Sequence, residues 1–381
     1  MKVLIVMADT GGGHRAASRA IAEALDDRAD GAIQTDIVDP FVATDRGIVR
    51  WVASMYGPTI RRAPWAYGVA FHATNHPMRF AAMRRAFGGP LVSQLTRLFV
   101  EQRPDIVITA HPLAVGAVMD ALPAASSAIG QAIQDTTIVT DIASMHASWY
   151  DERVSRFLAP SHEVERGLRR LGASSDRIAV TGLPVGRRFG NIPQTATEIR
   201  RRLRLSPDHS TALFLTGGEG TGPVLSSVAA IACALPELQI VVVCGRNAHL
   251  KQIIDAYCLP PTIHALGFVD NIPELMHGAD FIITKGGPQS ICEALASGRP
   301  TIVIDLLPGQ EQGNGAYVTR RGAGFLALTI PDLLSAVRRL TQDIETRHRM
   351  AAAARAASPA HAADIVADHI LDRSTRPTAS A

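Results

Sequence analysis

Short stretches rich in apolar residues, each closed by a polar or glycine-containing loop and followed by a helical repeat, set the rhythm of this chain. Residues 2–8, 32–38, 105–109, 136–139, 157–160 and 178–180 read as strands, several of them apolar almost throughout, as parallel strands covered on both faces are. Residues 15–25 place Ala17, Ile21, Ala24 and Leu25 on one helix face, and 162–171 repeats the helical pattern. After a polar, proline-containing stretch at 187–197 the alternation restarts. Strands are predicted at 212–215, 239–243, 262–266, 281–284 and 301–304, with helices at 224–235, 272–276, 330–342 and around 361–371. The pattern predicts an α/β protein of two doubly wound domains: 1–186, a linker at 187–197, 198–357, and a last helix within 358–381 that frays from Arg373.

A length of 381 residues suits two such domains, each with its own core. With 47% hydrophobic and 19% charged residues, the composition is that of a globular protein. A net charge of +3 gives no basis for a nucleic-acid partner. Cys233, Cys244, Cys258 and Cys292 lack metal-ligand spacing and read as buried thiols of a reducing cytoplasm. The first apolar run stops at Asp9, which is short for a signal peptide, and 223–236 is the nearest approach to the ~20 apolar residues that span a bilayer. Any membrane contact is therefore expected to be peripheral.

The chemistry concentrates where strands end. Lys285-Gly286-Gly287-Pro288 follows a strand and opens a helix, a turn that lets backbone N–H groups face an anion such as a diphosphate. On that helix Gln289 and Glu293 share a face, beside Ser290, while Ile291 and Leu295 point inward. Glu293 is either a solvated surface acid or an acceptor for a ribose diol. Gln310, Glu311 and Asn314 follow the next strand, in a loop suited to a ligand rich in hydroxyls. Upstream, Gly217, Gly218, Glu219 and Gly220 form a second glycine-rich strand-to-helix turn, out of register for a dinucleotide fingerprint. At the other end of the chain, Gly12 and Gly13 precede His14, where the helix dipole disfavours an imidazolium and leaves a neutral ring able to take a proton. His111, Asp141, His146 and Trp149 also lie just beyond strands, and either line an acceptor cleft or close loops.

Residues 46–100 hold no Asp, Glu or Lys but eight arginines, Arg46, Arg50, Arg61, Arg62, Arg79, Arg84, Arg85 and Arg97. Trp51, Tyr56, Trp65, Tyr67, Phe71, Phe80 and Phe87 are interleaved with them. Such a mixture suits an element lying at an anionic membrane surface, with core-packing helices as the plainer alternative.

The run Pro308-Gly309-Gln310-Glu311-Gln312-Gly313-Asn314, with Gly217 to Pro223 upstream, resembles the monogalactosyldiacylglycerol synthases and the related processive diacylglycerol glucosyltransferases. The lipid II glycosyltransferase of peptidoglycan synthesis is a more distant relative. The resemblance runs from Lys2 to about Phe325 and takes in Arg246, within Cys244-Gly245-Arg246-Asn247, and Phe268-Val269, where the family's backbone holds uracil. It implies a GT-B fold of two Rossmann-like domains facing a cleft, a last helix within 358–381 that crosses back to pack on the first domain, inversion at the anomeric carbon, and His14 as general base. It further implies UDP-galactose or UDP-glucose as donor without another cofactor, diacylglycerol as acceptor, and a peripheral place on the cytoplasmic face of the membrane. Where the family carries His-Pro-x-Trp this chain has His146-Ala147-Ser148-Trp149, a departure that bears on loop rigidity and acceptor preference. No Asp-x-Asp occurs, which argues against the metal-chelating class. A GT-B enzyme acting on another lipid or small molecule, and a nucleotide-sugar-binding protein without transfer activity, remain as alternative readings.

Overall fold

The computed structural model describes residues 1–9, 12–29, 31–41, 57, 59, 63–217, 222–256, 260 and 262–374. The chain divides into two compact units, Met1–Gly186 with His361–Ala381, and Arg187–Ala360.

The first unit is built on β1 (Lys2–Val6), β2 (Gln34–Val38), β3 (Ile106–Thr109), β4 (Gln134–Ile138), β5 (Phe157–Ala159) and β6 (Ile178–Val180), in the order β2-β1-β3-β4-β5-β6. All described pairings are parallel, and Val6 lies opposite Val38 on one side and Thr109 on the other. The chain leaves β1 in one direction and returns on its other side as β3. Ligands of doubly wound sheets bind beyond the strands' carboxyl ends at such a reversal. His14 and His111 stand at this point.

Residues Val3 to Val6 are wholly buried because helices cover both faces of the sheet. Ile21 and Leu25 of helix Gly13–Arg28 pack with Val366 and Ile370 of helix Ala362–Ser374 on one face. Leu95 and Phe99 of Gly89–Gln102 pack with Val118 and Ala121 of Pro112–Ile129 on the other. Each of these buried Ile, Leu, Val and Phe side chains contributes about 1.5–3 kcal/mol. Arg28 ties the C-terminal helix down through Asp364 and Asp368, one helical turn apart.

The second unit repeats the plan with β7 (Thr211–Leu215), β8 (Gln239–Val243), β9 (Ile263–Leu266), β10 (Phe281–Thr284), β11 (Thr301–Val303) and β12 (Gly324–Leu326), ordered β12-β11-β10-β7-β8-β9. These pairings too are parallel, and the reversal falls between β7 and β10. The loops flanking it are the two glycine-rich turns.

Three expectations are corrected here. Among the described residues the 18-residue helix Pro112–Ile129, rather than 223–236, is the one long and apolar enough, by length and composition, to cross a bilayer. Its buried face packs into the first core, as a core helix does. Cys233 is exposed, whereas Cys244 and Cys292 are buried and Cys258 lies outside the described residues. The stretch 187–197 is not wholly linker, since helix Ala196–Arg202 begins inside it. There Thr195 accepts from the Glu198 backbone N–H while the Glu198 carboxylate accepts from the Thr195 N–H.

Candidate active site

In the first unit, Gly12 has φ +85°, a conformation that favours glycine, and the next residue begins helix Gly13–Arg28. His14 therefore stands in the first helical turn. Its Nδ1 is 2.9 Å from the Ala110 carbonyl oxygen and 2.9 Å from Thr140 Oγ1. A carbonyl oxygen can only accept, so Nδ1 carries the proton and Nε2 keeps its lone pair. The ring is half-buried by its own accessible surface, but protein encloses it closely. Desolvation therefore lowers its pKa from 6.5 to about 4, with the Ala110 bond and the charge of Asp9 opposing it. At neutral pH the imidazole is uncharged and has a free acceptor nitrogen, as a general base requires.

Around it lie His111, edge-on at 4.5 Å between ring centroids, and Trp149 at 6.3 Å. Trp149 is fully buried and donates its indole N–H to Asp141 Oδ2 at 2.6 Å. His111 Nδ1 accepts from the Leu113 N–H and so caps helix Pro112–Ile129. Burial lowers the His111 pKa well below its ordinary value, and the neighbouring His14 pushes the same way. The loops after β1, β3 and β4 thus bring Gly12, His14, His111, Asp141 and Trp149 together.

His146 has a different place. Its ring sits against Phe71 and Phe80, at 4.9 and 5.7 Å. Both nitrogens are engaged within the chain, Nε2 with Thr74 Oγ1 at 3.1 Å and Nδ1 with Ser148 Oγ at 2.8 Å. Burial lowers its pKa to about 4. It brackets the 146–149 loop to the helices Pro64–Thr74 and Pro77–Phe87. The Ala147 N–H donates to Asn75 Oδ1 at 2.7 Å, a bond that a proline there could not make. The departure from His-Pro-x-Trp is therefore matched by a hydrogen bond that ties the same loop.

Those two helices divide the arginine and aromatic residues into two sets. Phe71 and Phe80 are buried, and Arg84 turns inward to Asp120, Asp151 and the Gly116 carbonyl. Arg84 is thus a packing residue and not a membrane contact. Trp65, Val69, Met78, Met83 and Phe87 are exposed, as are Arg79, Arg85 and Arg97. Arg46, Arg50, Arg61, Arg62, Trp51 and Tyr56 lie outside the described residues.

In the second unit, the turn after β10 packs so tightly that a Cβ on Gly286 would meet Leu306 Cδ2 at 2.5 Å and Glu311 Oε2 at 3.1 Å. Only glycine fits. Asn314 donates to the Gly286 carbonyl at 2.7 Å, and Glu311 accepts from the Leu307 N–H at 2.8 Å. Lys285 runs beside Gly217 and Gly222, so the loops after β7 and β10 converge. Pro288 opens helix Pro288–Ala296, near whose start lie Gly287, Gln289 and Ser290. Gln289 donates to Glu293 Oε1 at 2.8 Å. Desolvation raises the Glu293 pKa to about 7, against the opposing Gln289 bond. The buried carbonyl oxygens of Gln289 and Asn314 have no protein partner among the described residues. Arg246 lies over the exposed ring of Phe268, 5.5 Å from its centroid, with Val269 beside it. Gly218, Glu219 and Gly220 lie outside the described residues.

Comparison with known proteins gives these sites a context. The monogalactosyldiacylglycerol (MGDG) synthase family matches residues 14–185, and the glycosyltransferase family 28 C-terminal domain matches 212–366. A probable monogalactosyldiacylglycerol synthase 2 of Oryza sativa subsp. indica is 33% identical over 96% of this chain and 79% of its own length. This chain belongs to the monogalactosyldiacylglycerol synthase family. A probable synthase of this name from Glycine max is 32% identical over 88% of the chain, which spans only 64% of that relative. Among solved structures, Anabaena HepE in complex with UDP-glucose superposes with a TM-score of 0.58 at 16% identity, covering 98% of this chain and 100% of that one. The fold is GT-B.

Within this monogalactosyldiacylglycerol synthase family member, Thr140, Thr74, Asn75 and Ala110 went unrecognised as site-building residues in the sequence. Ala110 acts through its main chain, which leaves no trace in side-chain identity. Thr140 carried a signal, since it directly precedes Asp141 at a strand's carboxyl end.

Proposed function

We propose that this chain is an inverting, metal-independent hexosyltransferase that moves galactose or glucose from a UDP-sugar to the hydroxyl of diacylglycerol. The observation that carries this reading is the Nδ1 contact of His14 with the Ala110 carbonyl, which leaves Nε2 as the acceptor. Nε2 takes the proton of the diacylglycerol hydroxyl as its oxygen bonds to the anomeric carbon. The bond from that carbon to the diphosphate breaks, and UDP leaves with the electron pair. One displacement inverts the carbon.

In this reading the leaving charge meets Lys285, the Gly286-Gly287 turn and the start of helix Pro288–Ala296, which together answer the need that a metal meets elsewhere. Glu293 accepts from the ribose, with Gln289 and Asn314 offering carbonyl oxygens to ligand hydroxyls. Arg246 and Phe268-Val269 frame the base, while Gln310 and Glu311 face the sugar. His111, Asp141 and Trp149 shape the acceptor side. The exposed Trp65, Val69, Met78, Met83 and Phe87, beside Arg79 and Arg85, rest on an anionic membrane at its cytoplasmic face. Family membership and the UDP-glucose found in Anabaena HepE support donor and acceptor alike.

The test is a radiolabelled-donor assay with UDP-galactose and UDP-glucose in parallel, on vesicles containing diacylglycerol. Label entering the lipid phase as a β-hexoside is the expected result. UDP binding without lipid labelling by either donor would leave a nucleotide-sugar binder.

A further inference from the structure

We propose that Thr140 is a positioning residue that, with the Ala110 carbonyl, fixes the tautomer of His14 and sets its basicity. The proposal rests on the reading of His14 as the base. Thr140 lies just past β4 and Ala110 just past β3, and these neighbouring strands hold Thr109 opposite Thr137. Both residues are buried, so the two acceptors reach His14 Nδ1 from adjacent strand ends. Each is 2.9 Å away. The carbonyl requires the proton on Nδ1, and the threonine oxygen then serves as second acceptor for that same N–H. When Nε2 takes the substrate proton, Nδ1–H becomes a stronger donor, and both oxygens stabilise the imidazolium just as it forms. Burial alone opposes that charge, so the hydroxyl offsets a penalty that the enclosed site imposes.

The charged and titratable groups facing His14 among the described residues are few. On its own helix and the preceding loop are Arg15 and Asp9, which pair with each other at 3.0 Å. From the loop after β3 comes His111, and from the loop after β4 comes Asp141, held by Trp149. None of these touches Nδ1 in place of Thr140.

Thr140→Val keeps the shape and removes the hydroxyl. With UDP-sugar and diacylglycerol it should lower kcat roughly 10- to 100-fold, the factor that one hydrogen bond to a charged group represents. KM for the UDP-sugar should stay the same, the acidic limb of the pH–rate profile should move to lower pH, and Thr140→Ser should restore both. A Thr140→Val enzyme with parental kcat and profile overturns the proposal. Should that variant fail to fold, Thr140→Ala takes its place and parental kcat and profile overturn the role of Thr140, while ¹⁵N-histidine NMR of the parent that finds the His14 proton on Nε2 overturns the tautomer. His14→Ala separates the two claims. Its full activity would remove the base reading itself, whereas a dead His14→Ala beside a parental Thr140→Val would remove only the role of Thr140.

Discussion

The Ala110 carbonyl oxygen stands 2.9 Å from Nδ1 of His14, so a main-chain acceptor orients this imidazole where a carboxylate often does so. A neutral acceptor fixes the tautomer without adding the negative charge that would raise the pKa. Burial can then hold the ring at about 4.

One consequence is acid sensitivity. His14, His111 and His146 all have pKa values lowered in the folded chain, so the unfolded chain binds protons more readily below its ordinary 6.5. Their stabilisation is fully present above that value and is lost as pH falls towards 4. From His14 and His146 alone we expect the first unit to lose about 3–4 kcal/mol between pH 7 and pH 5, with His111 acting in the same direction. Trp51, Trp65 and Trp149 all belong to that unit, so thermal unfolding followed by tryptophan fluorescence reads it. A melting temperature unchanged over this range would show that the three imidazoles are solvated.

Glu293 behaves with the opposite sign. Its pKa is raised to about 7, so the folded chain holds the proton more tightly and stability is lost as pH rises from about 4.5 through 7. Glu293→Gln should therefore stabilise the ligand-free protein at pH 8 by about 1–3 kcal/mol. The same change should weaken UDP binding by roughly 1.5–3 kcal/mol, because a charged acceptor for the ribose is gone. Calorimetric titration with UDP, paired with a melting curve, checks both. Unaltered UDP affinity would refute the ribose assignment.

The arginines of residues 79–85 should separate by direction. Arg84→Gln leaves Asp120 and Asp151 with Arg153 as their remaining cation and loses the bond to the Gly116 carbonyl, and should destabilise the first unit by about 1 kcal/mol. Arg79→Gln with Arg85→Gln should leave stability within about 0.5 kcal/mol and weaken sedimentation with anionic vesicles by about 1 kcal/mol per residue, more at low salt. Equal sedimentation of parent and double variant would remove these two residues from the membrane surface.

Much of the second site was legible because its motifs are local. Lys285 to Glu293 contains a strand end, a turn and a helix start in one run of sequence, and Gly286 announces the close packing against Leu306 and Glu311. The first site was legible only in parts. His14, His111 and Asp141 could each be picked out at a strand end, but their meeting depends on the order of β1, β3 and β4 in the sheet. Arg84 could not be sorted from its neighbours, since its partners lie 32 to 67 residues further along at Gly116, Asp120 and Asp151. The helix at Ala196–Arg202 has a local signal in Thr195-x-x-Glu198, but it lies in a polar, proline-containing stretch that also reads as linker.

The central claim is that His14 deprotonates the acceptor, and His14→Ala tests it most directly when turnover and UDP affinity are measured on the same preparation. Removing a positioned base should lower kcat about 10²- to 10⁴-fold at saturating UDP-sugar and diacylglycerol. UDP affinity should remain near parental, because the proposed donor residues belong to the other unit. Near-parental turnover would contradict the account and make Asp141 the next candidate base, while joint collapse of UDP binding and thermal stability would make His14 a structural residue of the glycine turn.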